Sequence, residues 1–569
     1  MNHLTRLAVM AALFGASALS HATITLQPIG RYQSASAKFD RGAAEIVAYD
    51  PGTQRIFVVN AQDATVDVLD ASDPSNLVKV GQIDVKAIPN LDPAKLGAAN
   101  SVAVRDGLVA VAVEASPITD PGLIAFYDAE SLGLLKTVAA GSLPDAVTFS
   151  NNGHYVISSN EGEPAGGVNP DGSVTLVDVR RKAGVRAYTA CTADFQAFNS
   201  RRDELVAAGV KIDPGATVAQ DLEPEYAAAQ GDNAYVTLQE NNAVAVVKLN
   251  QCRVQRIMPL GVKNHGLAVN SLDTSDREIS STRGLIELRT WQNLYGLYEP
   301  DSIAAYEAGN GALYLVVANE GDVRDPNNAR VKDLPLDPTA FPPSLDVKAD
   351  KNLGRLNVVK SLGDTDGDGD YDRLYAYGAR SFSIYTNDGR QVYDSANDFE
   401  SIIANRVGSG ELPPQAFNAT HNNNSAGQVP GASTNTFDSR SDDKGPEPEG
   451  VVVGQVNDRA YAFIGLERVG GVMIYDVTEP QDAFYVGYVN NRDFSQGVCT
   501  LVSAVPAAPP SSRSGGACSN DIPNPLALDL GPEGLAFVPA KSSPNGKPLL
   551  IVGNEISGST TVYEITATD

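Results

Sequence analysis

The sequence has few of the residues and motifs on which common enzyme classes depend. It contains 5 histidines, 4 methionines, 1 tryptophan and 4 cysteines. No two cysteines form a CxxC or CxxCH motif, so nothing indicates a zinc knuckle, a thioredoxin-like site or attached haem. GxSxG, Walker and GxGxxG motifs are also missing, which leaves serine hydrolases and nucleotide-cofactor enzymes without support.

Positive charge is scarce as well. The 43 lysines and arginines are outnumbered by 69 aspartates and glutamates, which gives a formal net charge of −26. This balance argues against nucleic acid or an anionic membrane surface as a partner and favours solubility, bound cations, or both. The histidines beyond the N-terminal segment, His154, His265 and His421, are far apart and are expected to be surface or turn residues.

Long apolar runs are absent except at the N-terminus. There, Arg6 precedes the apolar run Leu7–Leu19, and Ser20-His21-Ala22 fits a small-x-small cleavage site. We therefore expect a signal peptide over residues 1–22, a secreted or periplasmic protein, and no membrane span. Four cysteines in an exported chain favour two disulfides, Cys191–Cys252 and Cys499–Cys518.

What the chain does contain is a recurring two-strand pattern. In the segment Asp438–Arg468 an acidic turn precedes the strand Val451–Val453, and a second strand, Tyr461–Leu466, ends on Glu467. The strand signals are short β-branched runs between Gly, Asn, Asp and Pro turns, and the best helical candidate is Arg201–Ala208. Repetition of this kind predicts an all-β propeller, with a right-handed β-helix as the alternative.

The units predict seven or eight blades. The segment Arg355–Asp394 resembles a degenerate unit, and counting it as a blade gives eight, the number we favour slightly. The segment Thr25–Ala35 belongs to no unit, and we expect it to pair beside Thr560–Ile565 and close the ring.

Residues 23–569 are then expected to form one propeller domain and a monomer. Two segments interrupt the repeats: 325–351 is rich in Pro and Asp, and 395–444 is rich in Asn, Ser and Gly. We expect both to be loops on one face, where propellers commonly carry recognition elements.

Polar residues recur at two positions of each unit. The position before the first strand is occupied by Glu45, Asn100, Asp145, Glu225, Asp301, Glu449 and Glu533. The position after the second strand is occupied by Ala61, Glu114, Glu161, Glu240, Glu320, Arg380, Glu467 and Glu555. In a propeller both positions lie at one mouth of the central channel, so about a dozen carboxylates should converge there.

Carboxylates gathered in this way repel one another unless cations compensate them. Hard divalent ions such as Ca²⁺, Mg²⁺ and Mn²⁺ take oxygen ligands, and Arg380, Arg440, Lys444 and Arg468 supply a second compensation. A mouth with both could receive a phosphate group, which arginine would hold while a metal polarises the phosphoryl oxygen or activates a water. The alternative is that the acids accept backbone hydrogen bonds and pin neighbouring blades together.

A second acidic motif is local. The segment DTDGDGDYD places oxygen ligands at alternate positions with glycines at the turn, as in the first part of an EF-hand calcium loop. Tyr375 stands where that loop has its bidentate Glu, so a ligand from elsewhere would have to complete the site. We expect structural calcium here, with a solvated acidic turn as the alternative. The candidate ligands are Asp364, Asp366, Asp368, Asp370 and Asp372.

Three long motifs carry a family resemblance. The segments Tyr298–Asp325 (YEPDSIAAYE…LVVANEGDVRD), Asp364–Tyr385 (DTDGDGDYDRLYAYGARSFSIY) and Phe437–Val451 (FDSRSDDKGPEPEGV) resemble the choice-of-anchor I family of exported proteins. That family is also described as similar to mesenchyme-specific cell-surface glycoprotein. The resemblance covers nearly all of the chain after the signal segment and implies a propeller.

The family is related to atypical alkaline phosphatases, and the acidic channel resembles that of calcium-dependent propeller phosphatases. The resemblance implies that Arg380 and Arg440 bind phosphate, with Lys444 beside them. It also implies metal-binding roles for Glu161, Glu240, Asp301, Glu320, Glu449, Glu467 and Glu555.

The sequence thus suggests two functions. The first is a calcium-dependent phosphoesterase, with room for a second divalent or trivalent metal, that acts on a phosphate ester or another small anion. The second is a non-catalytic binding propeller at the cell surface or in the periplasm, stabilised by calcium.

Overall fold

The computed structural model describes residues 23–280, 284–322, 324, 326–420, 437–500 and 522–568. The expected signal peptide lies outside these residues. The described part of the chain is all-β in character, with seven four-stranded antiparallel sheets and few helices. We number the seven sheets in chain order.

Sheets 1 to 4 are each formed by consecutive segments of chain. Sheet 1 contains Val47–Asp50, Arg55–Asn60, Thr65–Asp70 and Val78–Asp84. Sheet 2 contains Leu96–Arg105, Leu108–Ala115, Pro121–Asp128 and Leu134–Ser142. Sheet 3 contains Pro144–Phe149, Tyr155–Asn160, Ser173–Asp178 and Thr189–Asp194. Sheet 4 contains Pro224–Gln230, Asn233–Leu238, Ala243–Lys248 and Arg253–Pro259.

Sheets 5 and 7 depart from this simple order. Sheet 5 contains Ile303–Glu307, Leu313–Asn319, Ser381–Thr386 and Gln391–Asp394, with a long insertion between its second and third strands. Sheet 6 contains Pro448–Val456, Arg459–Leu466, Val472–Asp476 and Phe484–Val489. Sheet 7 contains Pro532–Val538, Leu549–Asn554, Ser559–Thr568 and the N-terminal strand Thr23–Gln33. The expected pairing of the two chain ends is confirmed, in an antiparallel register that joins Leu26 to Ile565.

The expected eighth unit does not form a four-stranded sheet of its own. Its strands Ser381–Thr386 and Gln391–Asp394 pair into sheet 5, since Asn319 lies opposite Ser381 in the register. Its earlier part forms Asn357–Val359, paired with Asn328–Arg330, and Leu374–Ala376, paired in parallel with Leu294–Leu297. The insertion therefore belongs to a satellite of small sheets beside sheet 5.

The remaining elements are short. The other strands are Val262–Asn264, Arg181–Lys182, Val185–Arg186, Cys499–Thr500 and Ile522–Pro523. The α-helices are Arg202–Ala208, Val218–Asp221 and Asp398–Ser409. Single 3₁₀ turns occur at Ala61–Asp63, Val85–Ala87, Pro93–Lys95, Gln196–Arg201, Ala268–Asn270, Val331–Asp333, Pro343–Leu345, Pro414–Ala416, Pro525–Ala527 and Ala540–Ser542.

These elements confirm one local prediction and correct another. The predicted helix at Arg201–Ala208 is present as Arg202–Ala208. The segment 395–444 was expected to be a loop, but it contains the 12-residue helix Asp398–Ser409, whose Phe399 and Ile403 are buried in the core. The segment 325–351 likewise contributes the strand Asn328–Arg330.

The inner strands of each sheet are largely buried and rich in apolar residues because both of their faces are covered. In sheet 1, Arg55–Asn60 and Thr65–Asp70 are buried at nearly every position, whereas the outer strand Val78–Asp84 is mostly exposed. Burial on both faces favours β-branched residues without alternation. Valines of sheets 1 and 2, such as Val66 and Val111, share one core cluster between the two sheets.

The first strands of successive sheets contact one another in a cycle. Each of them lies against the first strand of the next sheet, and Pro532–Val538 of sheet 7 returns to Val47–Asp50 of sheet 1. This propeller-like arrangement places the beginnings of all seven first strands around a common centre. The disulfide Cys191–Cys252, which joins the regions of sheets 3 and 4, is confirmed. Cys499 is disulfide-bonded, but its expected partner, Cys518, lies outside the described residues.

Candidate functional site

A proline followed by an acid marks the start of the first strand in several sheets. In sheet 3 the pair is Pro144-Asp145, in sheet 4 Pro224-Glu225, in sheet 6 Pro448-Glu449 and in sheet 7 Pro532-Glu533. The strand register shifts just after each of these prolines. Proline suits the first position of a strand, and a bulge re-aims the side chain beside it. The local sequence thus turns these acids out of the ladder and toward the centre.

The acids meet in a cavity of about 440 Å³, which we call the acidic cavity. All seven channel residues that the sequence assigned to metal binding line it: Glu161, Glu240, Asp301, Glu320, Glu449, Glu467 and Glu555. Its other lining residues are Asp40, Glu163, Glu225, Gln239, Asp322, Lys444 and Arg468. The predicted convergence of these side chains is therefore present in the structure.

A second cavity of about 290 Å³ continues inward from the acidic cavity. It shares Glu161, Glu225 and Asp301 with it and adds Glu45, Asp145 and Glu533. One oxygen from each of Glu45, Glu533 and Glu555 lies within 4.8 Å of the others. The two cavities together form one continuous acidic passage.

The electrostatics of this passage are strongly perturbed. Burial, and then repulsion by Glu467 and other neighbouring acids, raises the pKa of Glu449 well above its ordinary value. Burial raises the pKa of Glu555 to about 7, and burial with the nearby Glu114 raises the pKa of Asp145 to about 6. Without bound cations, several of these groups would have to remain protonated at neutral pH.

Several carboxylates also have buried oxygens without a partner. Among the described residues, no hydrogen-bond donor reaches Oε2 of Glu240, Glu449 or Glu533, or Oδ2 of Asp301. Buried polar atoms in folded proteins are nearly always paired. Four orphaned oxygens around one passage fit a set of ligands for hard divalent ions.

Glu447 was not predicted from the sequence, and neither were the lining residues Asp40, Glu163, Gln239 and Asp322. The buried carboxylate of Glu447 lies 2.6 Å from Arg440, 3.1 Å from Arg468 and 3.3 Å from Lys444. These three cations lower its pKa far below the ordinary value despite its burial. Lys444 also pairs with Glu320, and Arg468 lies 2.9 Å from Glu467. Glu447 therefore organises a cationic rim, formed by Arg440, Lys444 and Arg468, on the edge of the acidic cavity.

A sequence signal for Glu447 exists in retrospect. It precedes a Pro-acid pair in the order Glu-Pro-Glu, and Glu223 and Glu299 hold the same position before Glu225 and Asp301. All three glutamates are buried. Arg324 pairs with Glu223. Both residues line a larger cavity of about 990 Å³, which the three residues of the cationic rim also line.

The predicted position of Arg380 at the channel mouth is corrected by the structure. Arg380 lines none of these cavities; it lies in a buried pocket where Nη1 donates to Glu400 at 2.7 Å and to the carbonyl of Asp273 at 2.6 Å. Its Nη2 donates to the carbonyls of Ser441 and Asp443, both at 2.8 Å. The reason is topological: Arg380 precedes the third strand of sheet 5, and the position after the second strand is already held by Glu320.

The aspartate loop, residues 364–372, forms a separate exposed feature. Oxygens of Asp364, Asp366 and Asp372 lie within 4.8 Å of one another, as do oxygens of Asp370, Asp372 and the distant Asp337. Asp337 is thus a candidate for the missing outside ligand. The carboxylate of Asp368 belongs to neither group and accepts the backbone N–H of Asp370 at 3.1 Å. Calcium at this loop stays a prediction.

The histidines are placed differently from expectation. His154 is exposed, as expected, whereas His265 is 2% exposed and its Nδ1 lies 2.7 Å from the carbonyl of Asn270. Burial lowers the pKa of His265 to about 3, so it is a neutral core residue. His421 lies outside the described residues.

Comparison with known proteins then places the chain. The model of the choice-of-anchor I domain matches residues 45–480. The chain belongs to the choice-of-anchor I domain family. Gigasin-3a of Magallana gigas is 30% identical over 224 residues, which are 39% of this chain and 68% of that protein.

A second relative is the mesenchyme-specific cell surface glycoprotein of Strongylocentrotus purpuratus. It is 28% identical over 251 residues, which cover 39% of this chain but only 30% of that protein. Together with the disulfide, these relatives indicate an extracellular or surface protein. Among the described residues, no helix has the length and apolar character needed to cross a membrane.

Two solved structures resemble the chain over most of its length. Kuenenia stuttgartiensis hydrazine synthase has a TM-score of 0.44 at 12% identity and covers 95% of this chain and 99% of its own. The RRP9 WD40 repeats have a TM-score of 0.42 at 10% identity and cover 95% of this chain and 100% of their own.

Proposed function

We propose that this protein is an extracellular, divalent-metal-dependent phosphoesterase whose site is the acidic cavity. The seven sheets are taken as the blades of a closed propeller, with the N-terminal strand completing sheet 7. The cyclic contacts of the first strands and the pairing of the two chain ends support this architecture. On this view the acidic passage is the central channel, and calcium is the expected metal.

The observation that carries the proposal is the set of orphaned, buried carboxylate oxygens. Asp301, Glu240, Glu449 and Glu533 each have one such oxygen, and all four residues line the passage. Oxygen-only ligands of this kind suit Ca²⁺, Mg²⁺ or Mn²⁺. A bound divalent ion would supply Lewis-acid polarisation of a phosphoryl oxygen.

The chain's own residues would then bind and orient the ester. Lys444 and Arg468 line the acidic cavity beside the carboxylates, so they can hold the non-reacting oxygens of a phosphate group. Glu447 fixes both side chains from behind and keeps them charged. Arg440 reaches only the larger cavity, where it would contact the rest of the substrate.

Non-catalytic anion binding is the second candidate, and one observation favours it. Every cation of the rim is already engaged: Lys444 with Glu320, Arg468 with Glu467, and Arg440 with Asp443 at 3.0 Å. Arg380 is enclosed elsewhere. A site whose cations are neutralised in this way can hold a metal and a ligand without accelerating a reaction.

Hydrolysis of p-nitrophenyl phosphate by the purified chain separates the two functions. We expect turnover with added Ca²⁺, Mg²⁺ or Mn²⁺, and its loss on chelation. Glu449→Gln and Lys444→Met should each lose at least about tenfold in rate while remaining folded, and Glu130→Gln, an exposed acid, should match the unaltered chain. Metal-loaded protein that hydrolyses no phosphate ester would overturn the phosphoesterase and leave the binding function.

A further inference from the structure

A second group of carboxylates lies away from the channel. Oxygens of Asp273, Glu278 and Asp438 come within 4.8 Å of one another. Asp273 and Asp438 are both 0% exposed, and Glu278 is half-buried. None of the three lines the acidic cavity, the inner cavity or the larger cavity beside the cationic rim.

The contacts of this group are incomplete in one respect. Asp273 accepts the backbone N–H of Glu287 at 2.7 Å, and Glu278 accepts that of Leu285 at 3.0 Å. Asp438 accepts the hydroxyl of Ser441 on Oδ1, but its buried Oδ2 has no hydrogen-bond partner among the described residues. That oxygen is therefore held without compensation in a group of three acids.

The unpartnered oxygen lies beside a glycine rather than beside a basic side chain. A Cβ added to Gly284 would lie 2.0 Å from Oδ2 of Asp438, so this oxygen packs closely against the Gly284 backbone. Within the described residues, no lysine or arginine forms an ion pair with any of the three carboxylates. The contrast with Asp276 in the same loop is direct, since Asp276 lies 2.8 Å from Arg277 and also pairs with Arg355.

The charge balance supports the same conclusion. Burial, followed by repulsion from Asp273, raises the pKa of Asp438 to about 11. Burial raises the pKa of Glu278 to about 7 and that of Asp273 well above its ordinary value. Three clustered acids that no described lysine or arginine compensates either stay partly protonated or gain stability from a bound cation.

We propose that Asp273, Glu278 and Asp438 form a buried binding site for one hard divalent cation, separate from the channel. Oxygens about 2.4 Å from a single calcium ion lie at most about 4.8 Å apart, and the oxygens of these three residues lie within that limit. The three ligands provide three negative charges from two segments of chain more than a hundred residues apart in sequence.

The site joins residues 273–278 to the segment that contains Asp438. This segment continues directly into Arg440 and Lys444 of the cationic rim, and Arg440 N–H donates to the carbonyl of Asn418 at 2.7 Å. An ion on Asp438 would therefore fix the position of the rim from outside the channel. Its role is that of a structural brace, and it does not depend on hydrolysis at the acidic cavity.

The test is calcium stoichiometry and thermal stability of the full chain. Protein stripped with chelator, reloaded with CaCl₂ and desalted is analysed for bound calcium by mass spectrometry. We expect Asp438→Asn to hold one calcium ion fewer per chain than the unaltered protein. Glu287→Gln, in the same loop and with a side chain 47% exposed, is the matched control and should hold the full number.

The order of the melting temperatures of Asp438→Asn and the unaltered chain should reverse when calcium is added. Without metal, Asp438→Asn should melt higher than the unaltered chain, since an amide at this position does not have to take up a proton on folding and can donate to Asp273 or Glu278. With calcium, the unaltered chain should melt higher. Equal calcium content in both proteins, or a calcium-induced rise that Asp438→Asn keeps in full, overturns the proposal. If Asp438→Asn does not fold, Glu278→Gln answers the same question, because the side chain of Glu278 is only half-buried.

Discussion

The acidic passage and the aspartate loop use the same functional group in opposite settings. In the loop, carboxylates within a few residues of one another accept backbone N–H groups: Asp364 receives Gly367 at 2.7 Å, and Asp372 receives Thr365 at 2.8 Å. Hydrogen bonds from Thr365 lower the pKa of Asp372. In the passage, burial raises the pKa of Glu161, Glu225 and Asp301 well above ordinary values.

The two settings differ in the source of the hydrogen-bond donors for each carboxylate. A turn rich in Asp and Gly brings its own donors and remains in water, so it is stable whether or not it binds an ion. The acids of the passage come from six of the seven sheets, so the fold rather than a local turn decides their proximity. Cations should therefore matter far more to the passage than to the loop, and four changes test this contrast.

The largest effect is expected at the hub of the cationic rim. Glu447→Gln leaves Arg440, Lys444 and Arg468 close together with their shared buried carboxylate gone, which should reduce the free energy of unfolding by about 3–5 kcal/mol. The matched control is Glu411→Gln, whose ion pair with Arg406 is 2.7 Å long but more than half exposed on the glutamate side. Chemical denaturation should show less than about 1 kcal/mol for this control. Equal losses in the two variants would mean that burial does not set the strength of the rim.

Removal of metal by a chelator should have the second-largest effect on stability, and this effect should depend on pH. Each calcium ion at 100 times its dissociation constant adds about 2.7 kcal/mol to the free energy of unfolding. Without metal, acids with raised pKa values bind more protons when folded than when unfolded, so stability should fall as pH rises. For Glu555 this window runs from its ordinary value of 4.5 to about 7. Melting curves with and without calcium should diverge across this range, and parallel curves would contradict the account.

The effect of a single substitution in the passage on stability should reverse between metal-free and calcium-loaded protein. Glu449→Gln removes one of the crowded acids whose pKa is raised by burial, so at pH 8 the chelated variant should be more stable than the chelated unaltered chain. In the presence of calcium the order should reverse because one ligand is lost. Asn100→Ala, at the same position of sheet 2 but without a charge, is the control and should show no reversal. A Glu449→Gln variant that is less stable under both conditions would indicate an ordinary structural carboxylate.

The smallest effect is expected in the aspartate loop. Asp366→Asn keeps the oxygen that accepts the N–H of Asp368, so melting without calcium should change by less than about 0.5 kcal/mol. Calcium should stabilise this variant slightly less than the unaltered chain, and hydrolysis of phosphate esters should be unaffected. A loss of hydrolysis in Asp366→Asn would join the loop to the channel and break the contrast between them.

Much of the fold could be predicted because its signals are local. Turn residues and buried β-branched runs mark nearly every inner strand. The N-terminal strand belongs to no repeat unit, which was enough to predict its pairing with the strand that contains Ile565. The segment Arg355–Asp394 misled because a strand such as Ser381–Thr386 looks the same whether it opens a new sheet or completes an old one. Only its register with Asn319, across a long insertion, decides between the two.

The positions of the acids in the candidate site could be predicted from the sequence, but the ion pairs that compensate them could not. The acids of the passage follow a fixed place in each unit, so Glu161, Glu240 and Glu449 could be assigned before the structure was known. Arg380 failed because its place depended on the extra unit. Glu447 was missed because a buried acid with three cations is recognisable only in space, although its Glu-Pro-Glu context is visible in the sequence.

The most direct test of the central claim is the metal content of the passage. Calcium bound per chain after chelation, reloading and desalting should be compared for the unaltered protein, the double variant Asp301→Asn with Glu449→Gln, and the control Glu130→Gln. The account predicts that the double variant loses at least one ion that Asp438→Asn retains, while the control loses none. Unaltered protein that holds no divalent ion at pH 8 and melts at the same temperature with and without chelator would contradict it.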